Sequence, residues 1–364
     1  MTAVQSTPLA GQHAALSAHF GEFAGWRMPL WYGGAVGEHL AVRKAAGVFD
    51  VSHMGRFGVE GKDAAALLSA SFSRDAASLA PATSGYALAC NAAGGIIDDL
   101  IVYRLDAARF RVICNAANAG RIGALLEASR STWPAVAVAD SLAGTVLIAV
   151  QGPQAVAAVA ALVPGAAAIG RRGCGEVALG GETCFLARTG YTGEDGFEIM
   201  LAAAAGEALF ERLLAAGVTP CGLAARDSLR LEAALPLYGV DMDDATSPWE
   251  AGLGWALALE HDFPGRDALI ASKAAARRRL TCIVGDGQGV FRSHQLVYHD
   301  EEPVGQVSSG GFSPLLERSI AMAYLPRALA PVGTALTIDI RGRRVAAHTV
   351  KRPFYTSSRA GAAP

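Results

Sequence analysis

Two adjacent carboxylates inside an apolar run are the first residues in this chain that could do chemistry: Asp98 and Asp99 stand in Ile96-Ile-Asp-Asp-Leu-Ile-Val-Tyr103, directly behind the turn signal Gly94-Gly95. The run reads as a largely buried strand, and a buried carboxylate must be paired or hydrogen-bonded. Strand side chains alternate, so Asp99 shares a face with Ile97, Ile101 and Tyr103, and Asp98 falls with Ile96, Leu100 and Val102. One carboxylate is thereby expected in a pocket beside a tyrosine. The plainer alternative is that both aspartates only complete the glycine turn. Glu198 is a second carboxylate of this kind, in the apolar strand 197–201 behind Thr189-Gly-Tyr-Thr-Gly-Glu-Asp-Gly196. The glycines give that loop a tight path. A phosphate cradle would need a helix to follow, and a strand follows instead. Arg226 and Arg230 lie four apart on a helix predicted for 220–234, where stacked guanidinium groups suit a ligand carboxylate. Surface bridges to Asp227 and Glu232 are the alternative. His53 could be a general base or a hydrogen-bonded core residue.

The elements that must position these groups follow from periodicity and turn residues. Helices are predicted at 11–20, 37–44, 62–71 and 118–129, behind Gln151-Gly-Pro153, and at 220–234; strands are predicted at 48–54, 146–150, 176–179 and 182–188. Asn118 is expected to cap its helix while Asn115 points elsewhere. Residues 57–140 read in the order strand, helix, strand, strand, helix, strand, a split β-α-β unit with strands centred on 86–90, 96–103 and 110–114. Residues 20–31, with Trp26 and Trp31 beside glycines, read as a packed, irregular wall. Beyond about Lys273, short strands between turn signals at 285–289, 299–302 and 308–311 have the grammar of a small antiparallel barrel or sandwich. The class is α+β. The small, polar tail 357–364 is expected to be disordered.

At 364 residues the chain is long enough for two or three domains, and its net charge of -2 argues against nucleic acid or an anionic membrane as the main partner. Basic residues cluster only at 277–279 and 341–344, as solvated faces or as a patch for an acidic protein. The cysteines at 90, 114, 174, 184, 221 and 282 form no C-x-x-C pair and have no histidine at zinc spacing, so they read as reduced core residues and no metal site is signalled. The opening residues lack a leader-like segment, and the most apolar stretch, 155–170, is shorter than the roughly 20 residues a bilayer needs. A cytoplasmic protein is expected.

Taken in order, the motifs Phe23-Ala-Gly-Trp26, Phe49-Asp-Val-Ser-His-Met-Gly55, Gly94-Gly-Ile-Ile-Asp-Asp99, Asn115-Ala-Ala-Asn118, Gly190-Tyr-Thr-Gly-Glu-Asp-Gly-Phe-Glu198, Ala225-Arg-Asp227, Arg230-Leu-Glu232, Leu237-Tyr-Gly239, Ser309-Gly-Gly-Phe-Ser-Pro314 and Pro353-Phe-Tyr355 resemble the T-protein family of the glycine cleavage system, tetrahydrofolate-dependent aminomethyltransferases. The resemblance covers nearly the whole chain. It implies a three-domain folate-binding aminomethyltransferase fold: a first domain of 1–52 and 141–240, an inserted ferredoxin-like domain of 53–140 and 241–272, and a C-terminal antiparallel barrel of 273–356. It implies transfer of a methylene group from an aminomethyl group on the lipoyl arm of a partner H-protein to tetrahydrofolate, with release of ammonia. Asp99 matches the family's catalytic aspartate and Glu198 the carboxylate that holds the pterin. Tyr86, Tyr103, Asn115 and Tyr191 match pocket positions, and Arg226 matches a binding position; Arg230 is added from helix geometry alone. Where the family often has an aromatic after Arg-Leu-Glu-Ala, this chain has Ala234-Leu235. The rival readings are a folate-dependent demethylase and a folate-binding iron-sulfur maintenance protein of the same fold. Gly173-Cys-Gly175 lacks the signature of the second, and no G-x-G-x-x-G segment for a flavin is present.

Overall fold

The computed structural model describes residues 4–357. Strands Gly47–Asp50, Thr145–Gln151, Cys174–Leu179, Glu182–Ala187, Gly196–Ala202 and Thr219–Pro220 form a six-stranded sheet in which Thr145–Gln151 and Gly196–Ala202 are central. Those two strands are apolar on both faces because both faces are covered. One face, with Val146, Ile148, Val150, Phe197 and Ile199, packs under the helices Ala155–Leu162 and Ala203–Ala215. The other, with Leu147, Ala149, Phe185 and Met200, meets a second sheet.

The second sheet is antiparallel and has five strands, in the order Thr83–Cys90, Ile96–Arg104, Arg109–Cys114, Gly55–Glu60, Ala137–Asp140. Three strands separate the helices Ala64–Ser71 and Ala119–Arg130, at the three centres expected from the sequence. The third follows a turn at Asp106, whose carboxylate accepts from the backbone N–H of Ala108 and of Arg109 and turns the chain back as Arg109–Cys114. The helices cover Leu100 and Val102, so the alternate residues Ile101 and Tyr103 face the first sheet. The two sheets are joined at a corner, where Ser84 and Cys174 donate their backbone N–H groups to the carbonyls of Arg172 and Ala82.

The stretch expected to be irregular is a hairpin: His19–Phe23 pairs with Trp26–Trp31, and Gln5–Ser6 adds a parallel strand. Ala24 and Gly25, at φ 51° and 80°, close its turn. The helix expected over 11–20 is only Ala10–Ala15, ended near Ser17 at φ 56°. Six antiparallel strands between Arg278 and Val350 close a barrel around Ile283, Phe291, Val307, Ala321, Leu325 and Ile338. The α+β class and the closed C-terminal barrel agree with the sequence. All six cysteines are free and buried, and burial pushes the thiols of Cys90, Cys174, Cys184 and Cys282 up to about 12. No helix among the described residues is long and apolar enough to cross a membrane. Of the tail expected to be disordered, Ser357 is buried and residues 358–364 lie outside the described residues.

Candidate functional site

The turn between Thr83–Cys90 and Ile96–Arg104 sets the two aspartates. Asn91 accepts from the backbone N–H of Ala93 and Gly95, each at 3.0 Å, and a Cβ on Gly95 would stand 1.8 Å from the Asp244 carbonyl oxygen. Only glycine fits there. Asp98 is fully buried: its Oδ1 accepts from Asn115 Nδ2 at 2.7 Å and Asn118 Nδ2 at 2.9 Å, its Oδ2 from the Asn115 backbone N–H at 3.1 Å. Asn118 occupies the N-cap position of Ala119–Arg130 but makes no cap hydrogen bond. Its Nδ2 donates to the buried carboxylate, and its Oδ1 faces Arg121 Nη1 at 3.5 Å in place of the helix N–H groups.

Asp99 is half-buried. Its Oδ2 accepts from the Tyr86 hydroxyl at 3.0 Å and its Oδ1 from Asn115 Nδ2 at 2.9 Å. Alternation sends the two aspartates to opposite faces, yet Asn115 touches both and their charges remain coupled. Burial is the main force pushing both carboxyls above the usual range; the Asp99 charge adds to it at Asp98, while Tyr86 and Asn115 hold Asp99 lower. The charge therefore resides on Asp99 before Asp98. Trp255, 54% exposed, lies against Tyr86 with ring centroids 5.1 Å apart and planes 28° apart.

Glu198 comes from the facing sheet. Its neighbours across the strands are Ala149 and Ala187, whose small side chains leave room beside the carboxylate. Its Oε2 accepts from Thr189 Oγ1 at 2.6 Å and from the Tyr103 hydroxyl at 3.2 Å. None of the described residues donates to Oε1. Tyr103, fully buried, belongs to the Asp99 strand and packs edge-on against Phe185 at 5.3 Å, so it spans the seam between the sheets. The loop 189–196 is held closed by its glycines: a Cβ on Gly196 would stand 2.1 Å from the Val150 carbonyl oxygen, and Gly193 has φ +79°. Its Tyr191 donates its hydroxyl to the Pro236 carbonyl at 2.6 Å. Burial raises that phenol, Arg230 and Arg226 oppose the shift, and the Asp99 charge adds to it.

On the helix Leu223–Glu232 the two arginines have different fates. Arg226 lies with its guanidinium carbon 5.0 Å from the centre of the Tyr191 ring, and burial pulls it below its ordinary value while Glu198 and Tyr191 oppose the shift. Arg230 is 3% exposed; its donors go to Asp227, Asp241, the Leu235 carbonyl and Ser309. One hydrogen bond from Nε to Asp227, two from Nη1 and one from Nη2 to Ser309, with an ion-pair contact of Nη2 to Asp227, engage all three of its nitrogens. The sequence reads Arg230 as facing a ligand; the structure uses it to fasten this helix to the barrel. Arg43 does similar work on the same helix. It pairs with Glu232 and Glu194, each at 2.9 Å, and donates to the Thr192 carbonyl next to Tyr191.

Asp99, Tyr86 and Asn115 thus form one group, and Glu198, Tyr103 and Thr189 a second across the seam, with Tyr191 interacting electrostatically with Asp99 and Arg226 with Glu198. Sequence reasoning assigned no role to Trp255, Thr189 or Arg43. Thr189 opens the glycine loop quoted above and Trp255 closes the glycine-bearing run Trp249-Glu-Ala-Gly-Leu-Gly-Trp255; Arg43 had no signal beyond its place in a predicted helix. No cluster of three or more metal-ligating side chains occurs among the described residues.

Residues 9–261 match the family described as the GCVT N-terminal domain, and residues 278–356 match the glycine cleavage T-protein C-terminal barrel domain. An aminomethyltransferase of Synechococcus elongatus is 44% identical over 361 residues, covering 97% of this chain and 96% of the relative. One of Symbiobacterium thermophilum is 42% identical over 367 residues, covering 97% and 98%. The crystal structure of the glycine cleavage system aminomethyltransferase T from Bartonella henselae superimposes with a TM-score of 0.92 at 38% identity, over 97% of this chain and 98% of that one.

Proposed function

Because this chain belongs to the glycine cleavage T-protein family of tetrahydrofolate-dependent aminomethyltransferases, we propose that it takes the aminomethyl group from the lipoyl sulfur of a partner H-protein. Its methylene passes to tetrahydrofolate; ammonia, 5,10-methylenetetrahydrofolate and the dihydrolipoyl carrier are the products. The observation that supports this most is the pair of unlike carboxylates at the seam: Glu198, fixed through one oxygen with the other unengaged by the described residues, and Asp99, elevated by burial yet ionised before Asp98.

Glu198 accepts hydrogen bonds from the amino and amide edge of the pterin, its carboxylate held in one orientation by Thr189 and Tyr103. Asp99 stabilises the cationic character that develops at the methylene carbon as ammonia leaves, and takes part in proton movement at the folate amines. The folate N5 is the nucleophile, so no protein thiol or hydroxyl has to attack; the buried, elevated thiols fit that division of labour. Tyr191 and Arg226 flank the route of the folate tail. We assign the first domain to 1–52 and 141–240, the inserted domain to 53–140 and 241–272, the barrel to 273–356, and the protein to the cytoplasm.

Single-turnover mixing of aminomethyl-loaded H-protein, tetrahydrofolate and this protein is expected to release ammonia and form methylenetetrahydrofolate together. Tight folate binding without ammonia release would overturn the reading and move the substrate to a methyl donor or to none. Within that assay Tyr86→Phe keeps the Trp255 stack and removes one donor from Asp99. The rate is expected to drop roughly tenfold. Because the lost hydrogen bond had lowered the Asp99 pKa, the acid limb of the rate profile should move to higher pH; an unmoved limb would detach Tyr86 from the titrating group. Arg226→Ala should weaken polyglutamylated tetrahydrofolate more than tetrahydropteroate, by roughly tenfold. Equal losses for the two ligands would remove Arg226 from the tail.

A further inference from the structure

Glu232, Ser313 and Tyr355 stand in motifs far apart in the chain, Arg230-Leu-Glu232, Ser309-Gly-Gly-Phe-Ser-Pro314 and Pro353-Phe-Tyr355, and take no part in the chemistry proposed above. In the fold they meet. Glu232 is fully buried at the end of Leu223–Glu232, and its Oε1 accepts from the Ser313 hydroxyl and, at 3.4 Å, from the Leu315 backbone N–H. Both donors lie at the hairpin turn between the barrel strands Glu302–Ser313 and Arg318–Pro326. Its Oε2 accepts from Arg43 Nε at 2.9 Å and stands 2.9 Å from Arg43 Nη2 and 3.1 Å from His39 Nε2. Burial acts to raise this carboxyl, but His39, Ser313 and Arg43 together hold it below its ordinary range, so it is an anion at neutral pH. Tyr355 closes the cluster: its backbone N–H donates to the Glu232 carbonyl at 2.9 Å, and its ring centre lies 4.1 Å from the Arg43 guanidinium carbon. Arg43 Nη1 then reaches the loop 189–196, donating to the Thr192 carbonyl at 2.8 Å and to Glu194 at 2.9 Å. A guanidinium is planar and rigid, so an Nε–Nη2 edge anchored on Glu232 dictates where Nη1 points.

We propose that Glu232 is a positioning residue for the loop 189–196: through Arg43 it passes the seating of the barrel hairpin to the loop that carries Tyr191, so folate binding depends on a docked barrel. The proposal rests on the folate reading above. Glu232 acts on the ligand only through Arg43 and the loop. In a buried ion cluster each member is held by the others, and loss of one partner is felt at the far end. Apolar packing between this helix and the barrel, which Leu231 and Met322 also supply, has no such directed path.

Equilibrium titration of tetrahydrofolate, paired with single-turnover rates at saturating folate, tests this with wild type, Ser313→Ala, Glu232→Gln and the double variant. Ser313→Ala is expected to weaken tetrahydrofolate about fivefold and Glu232→Gln roughly tenfold, with the saturated rate near wild type in both. In Glu232→Gln the Ser313→Ala change should add less than it does alone, because the hydroxyl acts through the carboxylate. Unchanged affinity in both variants, a loss confined to the saturated rate, or fully additive losses would overturn the link. Wild type that binds no folate would instead overturn the folate reading itself. Should the variants fail to fold, hydrogen exchange on wild type decides. Tetrahydrofolate should slow the amides of 190–196 together with those of Leu315 and Leu316, which are bonded to Glu232 and Ser313. Protection of the loop alone would overturn the proposal.

Discussion

Asp99→Asn is expected to lower the single-turnover rate of methylenetetrahydrofolate formation by roughly 10²–10⁴ while folate affinity changes little. The substitution keeps the size of the side chain and removes its charge and its basicity. Both matter at the moment ammonia leaves, when positive character builds on the methylene carbon next to a half-buried carboxylate. The pH dependence separates this from a packing effect. Burial raises the Asp99 carboxyl, so the wild-type rate should fall as the pH drops through a value above the usual aspartate range, with Asp98 and Asp99 titrating as a pair. The asparagine variant should lack that limb. A loss below about tenfold with unchanged folate binding would sink the assignment.

For Glu198→Gln the expected effect is on binding: tetrahydrofolate affinity should fall roughly 10- to 150-fold, the equivalent of one charge-assisted hydrogen bond of about 1.5–3 kcal/mol. The amide keeps one acceptor oxygen but brings an N–H either toward the pterin's own donors or toward Thr189 and Tyr103, which now donate to Oε2. At saturating folate the rate should recover to near wild type, since Glu198 is placed to hold and not to react. Unchanged affinity in a direct titration, or a rate that saturation cannot restore, would contradict this role.

What the sequence made legible divides along physical lines. The Asp98-Asp99 strand, the Glu198 strand and the arginine helix carry strong periodicity, and all three stand where the periodicity places them. Contacts between elements distant in sequence were not legible. Helical spacing puts Arg226 and Arg230 on one face, but it does not reveal that Asp241 and Ser309, distant in sequence, take donors of Arg230. Cap rules assign Asn118 to its own helix and have no means of weighing a buried aspartate on another strand. The irregular wall at 20–31 was misjudged for a related reason: Ala24 at positive φ makes a tight hairpin that residue preferences would have reserved for glycine.

Trp255 also has a spectroscopic consequence. It is one of five tryptophans in the chain, lies 54% exposed, and is stacked on the tyrosine whose hydroxyl holds Asp99. An emitter therefore stands one ring and one hydrogen bond from the titrating carboxylate. Events at that carboxylate have a route into the protein's own fluorescence, so occupancy and protonation can be followed in unlabelled protein as ordinary light emission, on the timescale of a stopped-flow mixing experiment.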